Sequence, residues 1–160
     1  MKILITGGTI DKQYNPLNGT LIFNESTVMD MLLQSRNTVE TDVQTLMLKD
    51  SLEMNDDDRQ VISQACYSSN DPQIIITHGT DTMVETAHEV AADLPSDKTV
   101  VLLGAMVPYQ FKQSDALFNL GCAMSAVQIL PAGVYITMNG QVFDYREVQK
   151  NRAIGQFVKS

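Results

Sequence analysis

The chain is poor in positive charge. Its 160 residues carry 11 Lys and Arg against 19 Asp and Glu, a net charge of -8 with a pI near 4.5. So few cations make a weak match for nucleic-acid phosphates or an anionic membrane surface. Cysteine is scarce too. Cys66 and Cys122 are too far apart for a metal spacing and too few for a disulfide framework. Both are expected in the core as small apolar residues. No His/Cys/Asp/Glu group has the spacing of a metal site, so no metal is expected. No apolar run approaches the ~18 residues of a membrane span. The first apolar stretch, Ile3-Leu4-Ile5, is too short for a signal peptide, and a cytoplasmic location is the expectation. Neither G-x-G-x-x-G nor G-x-x-x-x-G-K-[ST] occurs, so nucleotide binding is not expected and no cofactor is implied.

What is present suffices for one buried core. Hydrophobic residues make up 44%, charged residues 19%, and mean hydropathy is -0.07, which excludes an acidic disordered chain. At ~150 residues per domain the length fits a single domain. Five β-rich runs stand out: Lys2–Thr6, Val43–Leu48, Gln73–Thr77, Thr99–Leu103 and Gly133–Met138. The first, third and fourth have continuous apolar centres, which suit strands covered on both faces. Helical patterns separate them. Ser26 is a cap candidate for a helix through Met29 and Leu33. Asn55, followed by Asp56, Asp57 and Asp58, is a helix start with acid at the positive dipole end. Asp81 or Thr82 begins a third helix, and Ser114 or Asp115 a fourth. The alternation predicts an α/β fold with a doubly wound, mostly parallel sheet. Gly7–Asn24 reads as a long loop or hairpin, and so long a connection is usually functional.

Ligands of open α/β sheets bind beyond the carboxyl ends of the strands. Directly past the first four strands stand Thr6-Gly7-Gly8-Thr9, Lys49-Asp50-Ser51, His78-Gly79-Thr80-Asp81-Thr82 and Gly104-Ala105-Met106. Glycines and small hydroxyl residues recur at that one edge. Glycine admits close backbone approach, and hydroxyls supply nucleophiles or hydrogen bonds.

These segments carry a resemblance. Leu4-Ile5-Thr6-Gly7-Gly8-Thr9-Ile10 and Ile76-Thr77-His78-Gly79-Thr80-Asp81-Thr82-Met83 resemble the two signature segments of bacterial-type L-asparaginases. Leu103–Pro108 resembles the family's Gly-Ala-Met-x-Pro turn. Ser114-Asp115-Ala116 with Asn119-Leu120 resembles the helix start after it, and Phe143–Lys150 the stretch holding the family's active-site lysine. The order is the family's own. The chain is similar to short-chain members: residues 1–160 would be the family's first domain, with an N-terminal active-site loop and without the smaller C-terminal domain.

The resemblance implies hydrolysis of L-asparagine to L-aspartate and ammonia by a threonine nucleophile. Thr9 matches that nucleophile, which needs a neighbour to take its proton. Tyr14 is a candidate by proximity alone. Thr80, Asp81 and Lys150 match a second constellation of hydroxyl, carboxylate and lysine, with a structural ion pair as the alternative. A carboxylate beside Lys150 favours its charged form, so either Lys150 is partly desolvated or it relays protons through Thr80. Ser51 matches the holder of the substrate α-carboxylate. Asp81 would face the substrate ammonium, and Gly8, Thr80 and Ala105 would line the substrate. The family often places glutamine where Leu52 stands, and a partner subunit's glutamate also reaches that ammonium; Glu53 is a possible substitute. A glutaminase or broader amidase is one alternative, and an amino-acid-binding module without turnover is another. His78 is expected to be structural, and His88 a surface or packing residue. The resemblance also implies a homodimer or homotetramer, with Ser26–Ser35 and Asp115–Leu130 as candidate contact helices.

Overall fold

The computed structural model describes all of residues 1–160. Ten strands and four helices follow in order. Those of the central layer are β1 (Lys2–Gly7), α1 (Val28–Gln34), β4 (Asp42–Lys49), α2 (Asp56–Ser68), β5 (Gln73–Thr77), α3 (Met83–Asp93), β6 (Thr99–Leu103), α4 (Ala116–Ile129), β7 (Gly133–Met138) and β8 (Gln141–Asp144). They form one six-stranded sheet in the order β4-β1-β5-β6-β7-β8. The first five strands are parallel, and β8 pairs antiparallel with β7 at the edge. The expected doubly wound α/β sheet is thus present, with one antiparallel strand added.

Both faces of the sheet are covered, as the continuous apolar runs require. On one face, 17 buried residues include Leu4, Ile74, Ile76, Val100 and Leu102 of the strands packed on Ile62, Cys66, Met83 and Val90 of α2 and α3. On the other, 16 include Ile3, Ile5, Ile75, Val101 and Leu103 packed on Val28, Met31, Leu120 and Val127 of α1 and α4. Adjacent strand residues therefore serve opposite layers, as the period of 2 demands. From β1 the chain leaves over α1 to β4 on one side. It returns over α2 to β5 on the other. The carboxyl ends of β1 and β5 thus flank a topological switch point, where such sheets open a crevice for ligands.

Helix starts follow their chemistry, with one correction. Asn55 caps α2 in a full capping box: its side chain accepts from the Asp58 N–H, and Asp58 accepts from the Asn55 N–H. Asp115 is the N-cap position of α4 and Thr82 that of α3. Ser26, however, is not the cap of α1. Thr27 holds that position, Ser26 Oγ accepts from the Val28 N–H, and the Asp11 carboxylate accepts from the Thr27 N–H at 2.8 Å. Cys66 is fully buried as expected, whereas Cys122 is only half-buried on α4.

Two small hairpins sit outside the central sheet. Within Gly7–Asn24, a 3-10 turn (Thr9–Asp11) leads into β2 (Gln13–Asn15) and β3 (Thr20–Ile22), so this segment is a hairpin. Near the end, β9 (Val148–Asn151) pairs antiparallel with β10 (Gln156–Lys159). Val148 is buried in the α2–α3 layer, and the strand's period brings Lys150 to that same side.

Candidate active site

Glycine makes the crevice possible. Gly8 has φ +83 and ψ 178, a backbone region open essentially to glycine alone. A Cβ there would lie 2.4 Å from the Gly79 nitrogen, and one on Gly79 would lie 2.5 Å from Ser51 Oγ. A Cβ on Gly104 would meet the His78 carbonyl oxygen at 2.5 Å. The turns after β4, β1, β5 and β6 therefore touch backbone to backbone, and the Gly8 N–H donates to the Lys49 carbonyl at 2.9 Å. Side chains far apart in sequence share one edge for this reason.

At that edge, Thr9 opens its 3-10 turn half-buried, next to Gly8. Ser51 begins another 3-10 turn and is 1% exposed; its carbonyl accepts from Thr82 Oγ1 at 2.9 Å. Thr80 and Asp81 follow β5. Lys150 reaches both across about 70 positions: its Nζ lies 2.7 Å from Thr80 Oγ1 and 2.9 Å from Asp81 Oδ1. Its side chain is 9% exposed and that of Asp81 33%. Hydroxyl, amine and carboxylate are thus in direct contact, half shielded from water. A contact of this length serves either polarity, an ammonium donating to the hydroxyl or the hydroxyl donating to a free amine. Ala105 is fully buried beside Gly104.

Three positions weighed in the sequence, Tyr14, Leu52 and Glu53, are open to solvent. Tyr14 is 55% exposed on β2, across from Leu21 of the hairpin. Leu52, where a glutamine would help hold an ammonium, is 63% exposed, and Glu53 is exposed as well.

His78 is fully buried behind the Thr80 turn. Its Nδ1 lies 2.7 Å from the Gly79 carbonyl oxygen and its Nε2 2.8 Å from Thr86 Oγ1. A carbonyl only accepts, so Nδ1 carries the proton and Nε2 accepts from Thr86. Burial pushes its pKa down to about 4 from the ordinary 6.5. The unfolded chain therefore binds this proton first as pH falls. Stability from His78 is full above pH 6.5 and declines toward pH 4, a loss of about 3 kcal/mol. Asp11 acts oppositely: burial raises its carboxyl, so its share of stability falls as pH rises from 3.8 through the raised value. Denaturant melts from pH 7 to 4.5 should show a steeper loss in the wild type than in His78→Gln. Equal slopes would contradict the assignment.

Other supporting residues were not legible as such. Arg152 Nε lies 3.7 Å from Asp81 Oδ1, and Lys12 pairs with Asp50. Asp115 accepts from the Met106 and Val107 N–H groups at 3.0 Å each. Asn119 donates to the Gly104 carbonyl at 3.0 Å. These last two hold the β6 turn in place against α4. His88 is exposed and packs edge-on against Tyr145. The largest concavity of the surface, about 810 Å³ between α2 and α3, is lined by Asp57, Tyr67, Glu89 and Asp93 among others. It contains no hydroxyl–amine pair, so the chemistry points to the strand ends instead. No group of three or more His, Cys, Asp or Glu side chains is placed to hold a metal ion, and no helix is long and apolar enough to cross a membrane.

Comparison with known proteins gives the family and the fold. The "Probable L-asparaginase periplasmic" of Haemophilus influenzae is 31% identical over 159 residues, 92% of this chain and 45% of that protein. The crystal structure of "Probable Cytoplasmic L-asparaginase from Campylobacter jejuni" superposes with a TM-score of 0.85 at 28% identity, over 99% of this chain and 52% of that one. The thermostable L-asparaginase from Thermococcus kodakarensis gives 0.82 at 26% identity, over 99% and 51%. The chain thus spans about half the length of the relatives it matches. The model of the family described as "Asparaginase, N-terminal" matches residues 1–156. Taken with the strand-end cluster and the shared architecture, this match places the chain in the asparaginase family, to whose N-terminal domain it corresponds.

Proposed function

We propose that the protein hydrolyses L-asparagine to L-aspartate and ammonia at the carboxyl edge of its sheet. The observation that carries this reading is the contact of Lys150 with both Thr80 and Asp81 beside the Thr9 turn. Thr9 Oγ attacks the side-chain amide carbon. Backbone N–H groups next to Gly8, whose own N–H is donated to the Lys49 carbonyl, and near Thr80 face the oxyanion, an effect worth ~3 kcal/mol per donor. The amide nitrogen leaves as ammonia after taking a proton, and water opens the aspartyl ester to regenerate Thr9. Lys150, in contact with Thr80, is one candidate for proton transfer. Tyr14 is the other, once its hairpin folds in over Thr9. The substrate α-carboxylate rests at Ser51, its ammonium faces Asp81, and Ala105 lines the amide end.

Assembly as a homodimer or homotetramer belongs to the same proposal. The uncharged outer face of α4, with Phe118 and Ile129 exposed, supports assembly through that helix. Two free thiols, Cys66 and Cys122, accord with a reducing, cytoplasmic setting. Ammonia release from L-asparagine, L-glutamine and simpler amides tests the reading. Preference for glutamine would favour the glutaminase alternative. Binding of L-aspartate without turnover would favour a binding module.

A further inference from the structure

An ion pair on the lip of the site is used by no step above. Lys12 follows the nucleophile turn and closes it, its N–H donating to the Thr9 carbonyl at 3.1 Å. Its Nζ lies 2.5 Å from Asp50 Oδ2 and 5.8 Å from the centre of the Phe23 ring. Asp50 stands directly before Ser51, and its other oxygen accepts from the Leu52 N–H at 3.1 Å. The carboxylate is thereby fixed on the Ser51 turn. Both side chains are partly open to solvent, Lys12 by 21% and Asp50 by 29%. The Lys12 bond is the main cause holding the Asp50 carboxyl below its ordinary range, so Asp50 is an anion at neutral pH.

An anion arriving at Ser51 therefore meets a carboxylate one residue away. Alone, Asp50 would repel it. Other cations nearby are committed elsewhere: Lys150 to Thr80 and Asp81, and Lys49 to Asp58 at 2.7 Å. Lys12 is the cation bonded to Asp50 and the main offset to its charge, with a smaller contribution from Lys150, and the remaining N–H donors of Lys12 can face a ligand.

We propose that Lys12 is a specificity-determining residue: by neutralising Asp50 beside Ser51, it admits the α-carboxylate of an amino-acid amide and favours substrates that carry one. The inference rests on the reading of this site as an amidohydrolase for amino-acid amides.

Steady-state kinetics of Lys12→Met, with L-asparagine and with L-asparaginol, in which an alcohol replaces the carboxylate, test it. KM for L-asparagine should rise ~10-fold or more, with kcat little changed, while KM for L-asparaginol stays level. Lys12→Met/Asp50→Asn should recover most of the loss, and Lys12→Arg should retain wild-type selectivity. Equal losses with both substrates, or a double variant no better than the single, would overturn the proposal. If Lys12→Met does not fold, Asp50→Asn alone decides: its KM for L-asparagine should hold or fall, and a rise would overturn the proposal. Calorimetry with L-aspartate separates the two levels. A wild type that neither binds L-aspartate nor releases ammonia defeats the amidohydrolase reading and this inference with it. A working wild type matched by Lys12→Met in both KM values defeats this inference alone.

Discussion

Thr9→Ala should abolish turnover, lowering kcat ~10³-fold or more, because no other hydroxyl on the β1 turn is offered to the amide carbon. The fold should survive. Backbone bonds hold the 3-10 turn, from Asp11 N–H to the Gly8 carbonyl and from Lys12 N–H to the Thr9 carbonyl, both 3.1 Å. Alanine keeps them. Binding of L-aspartate should also persist, since Ser51 and Asp81 are untouched. Ammonia release measured beside circular dichroism reads both effects. A folded variant with a near-normal rate would remove Thr9 from the chemistry.

Gly8→Ala should have the largest effect on stability, about 3 kcal/mol or more. Two costs combine there: a positive φ that L-residues rarely adopt, and a Cβ forced to 2.4 Å from backbone of the β5 turn. Backbone cannot swing aside as a flexible side chain does. The turns of β1 and β5 must separate, and Thr9 moves away from Thr80 with them. Activity should therefore fall along with the denaturation midpoint. Gly121→Ala provides the contrast. A Cβ on Gly121 of α4 meets nothing within 4 Å, so that change should stabilise by ~0.5–1 kcal/mol through helix propensity. If Gly8→Ala were as harmless as Gly121→Ala, the backbone contact would not be what assembles the site.

The five central strands were legible because each carries its own apolar run. Gln73–Thr77, Thr99–Leu103 and Gly133–Met138 match their elements residue for residue. Strand β8 was missed although its signal was there: Asn139-Gly140, with φ of 51 and 82, is the two-residue turn that joins it to β7. Its four residues, Gln141 to Asp144, are too short and mixed to show a period. Cys122 was misplaced because α4 holds no charged residue between Ala116 and Ile129. Such a helix shows no polar stripe to mark its outer face. Of the candidate site residues, Thr9, Ser51, Thr80 and Asp81 stand just past strand ends, where the sequence draws attention to them, and their proposed roles come from resemblance. Lys150 came from resemblance. The pairing of Lys12 with Asp50 and of Arg152 with Asp81 is set by topology across 38 and 71 positions, and no local pattern encodes it. Asp11 hides likewise, since its cap on α1 is 16 residues away.

The most direct test is the rate of ammonia release from L-asparagine by the purified 160-residue chain, with Thr9→Ala as the blank. On the proposed reading, Leu52 gives the substrate ammonium fewer partners than a glutamine there would, and lost charge-assisted bonds of ~1.5 kcal/mol each weaken binding shared by substrate and transition state. The expected result is saturable turnover above the blank with a millimolar KM, and L-glutamine turned over far more slowly. Release no faster than Thr9→Ala at saturating L-asparagine would contradict the account.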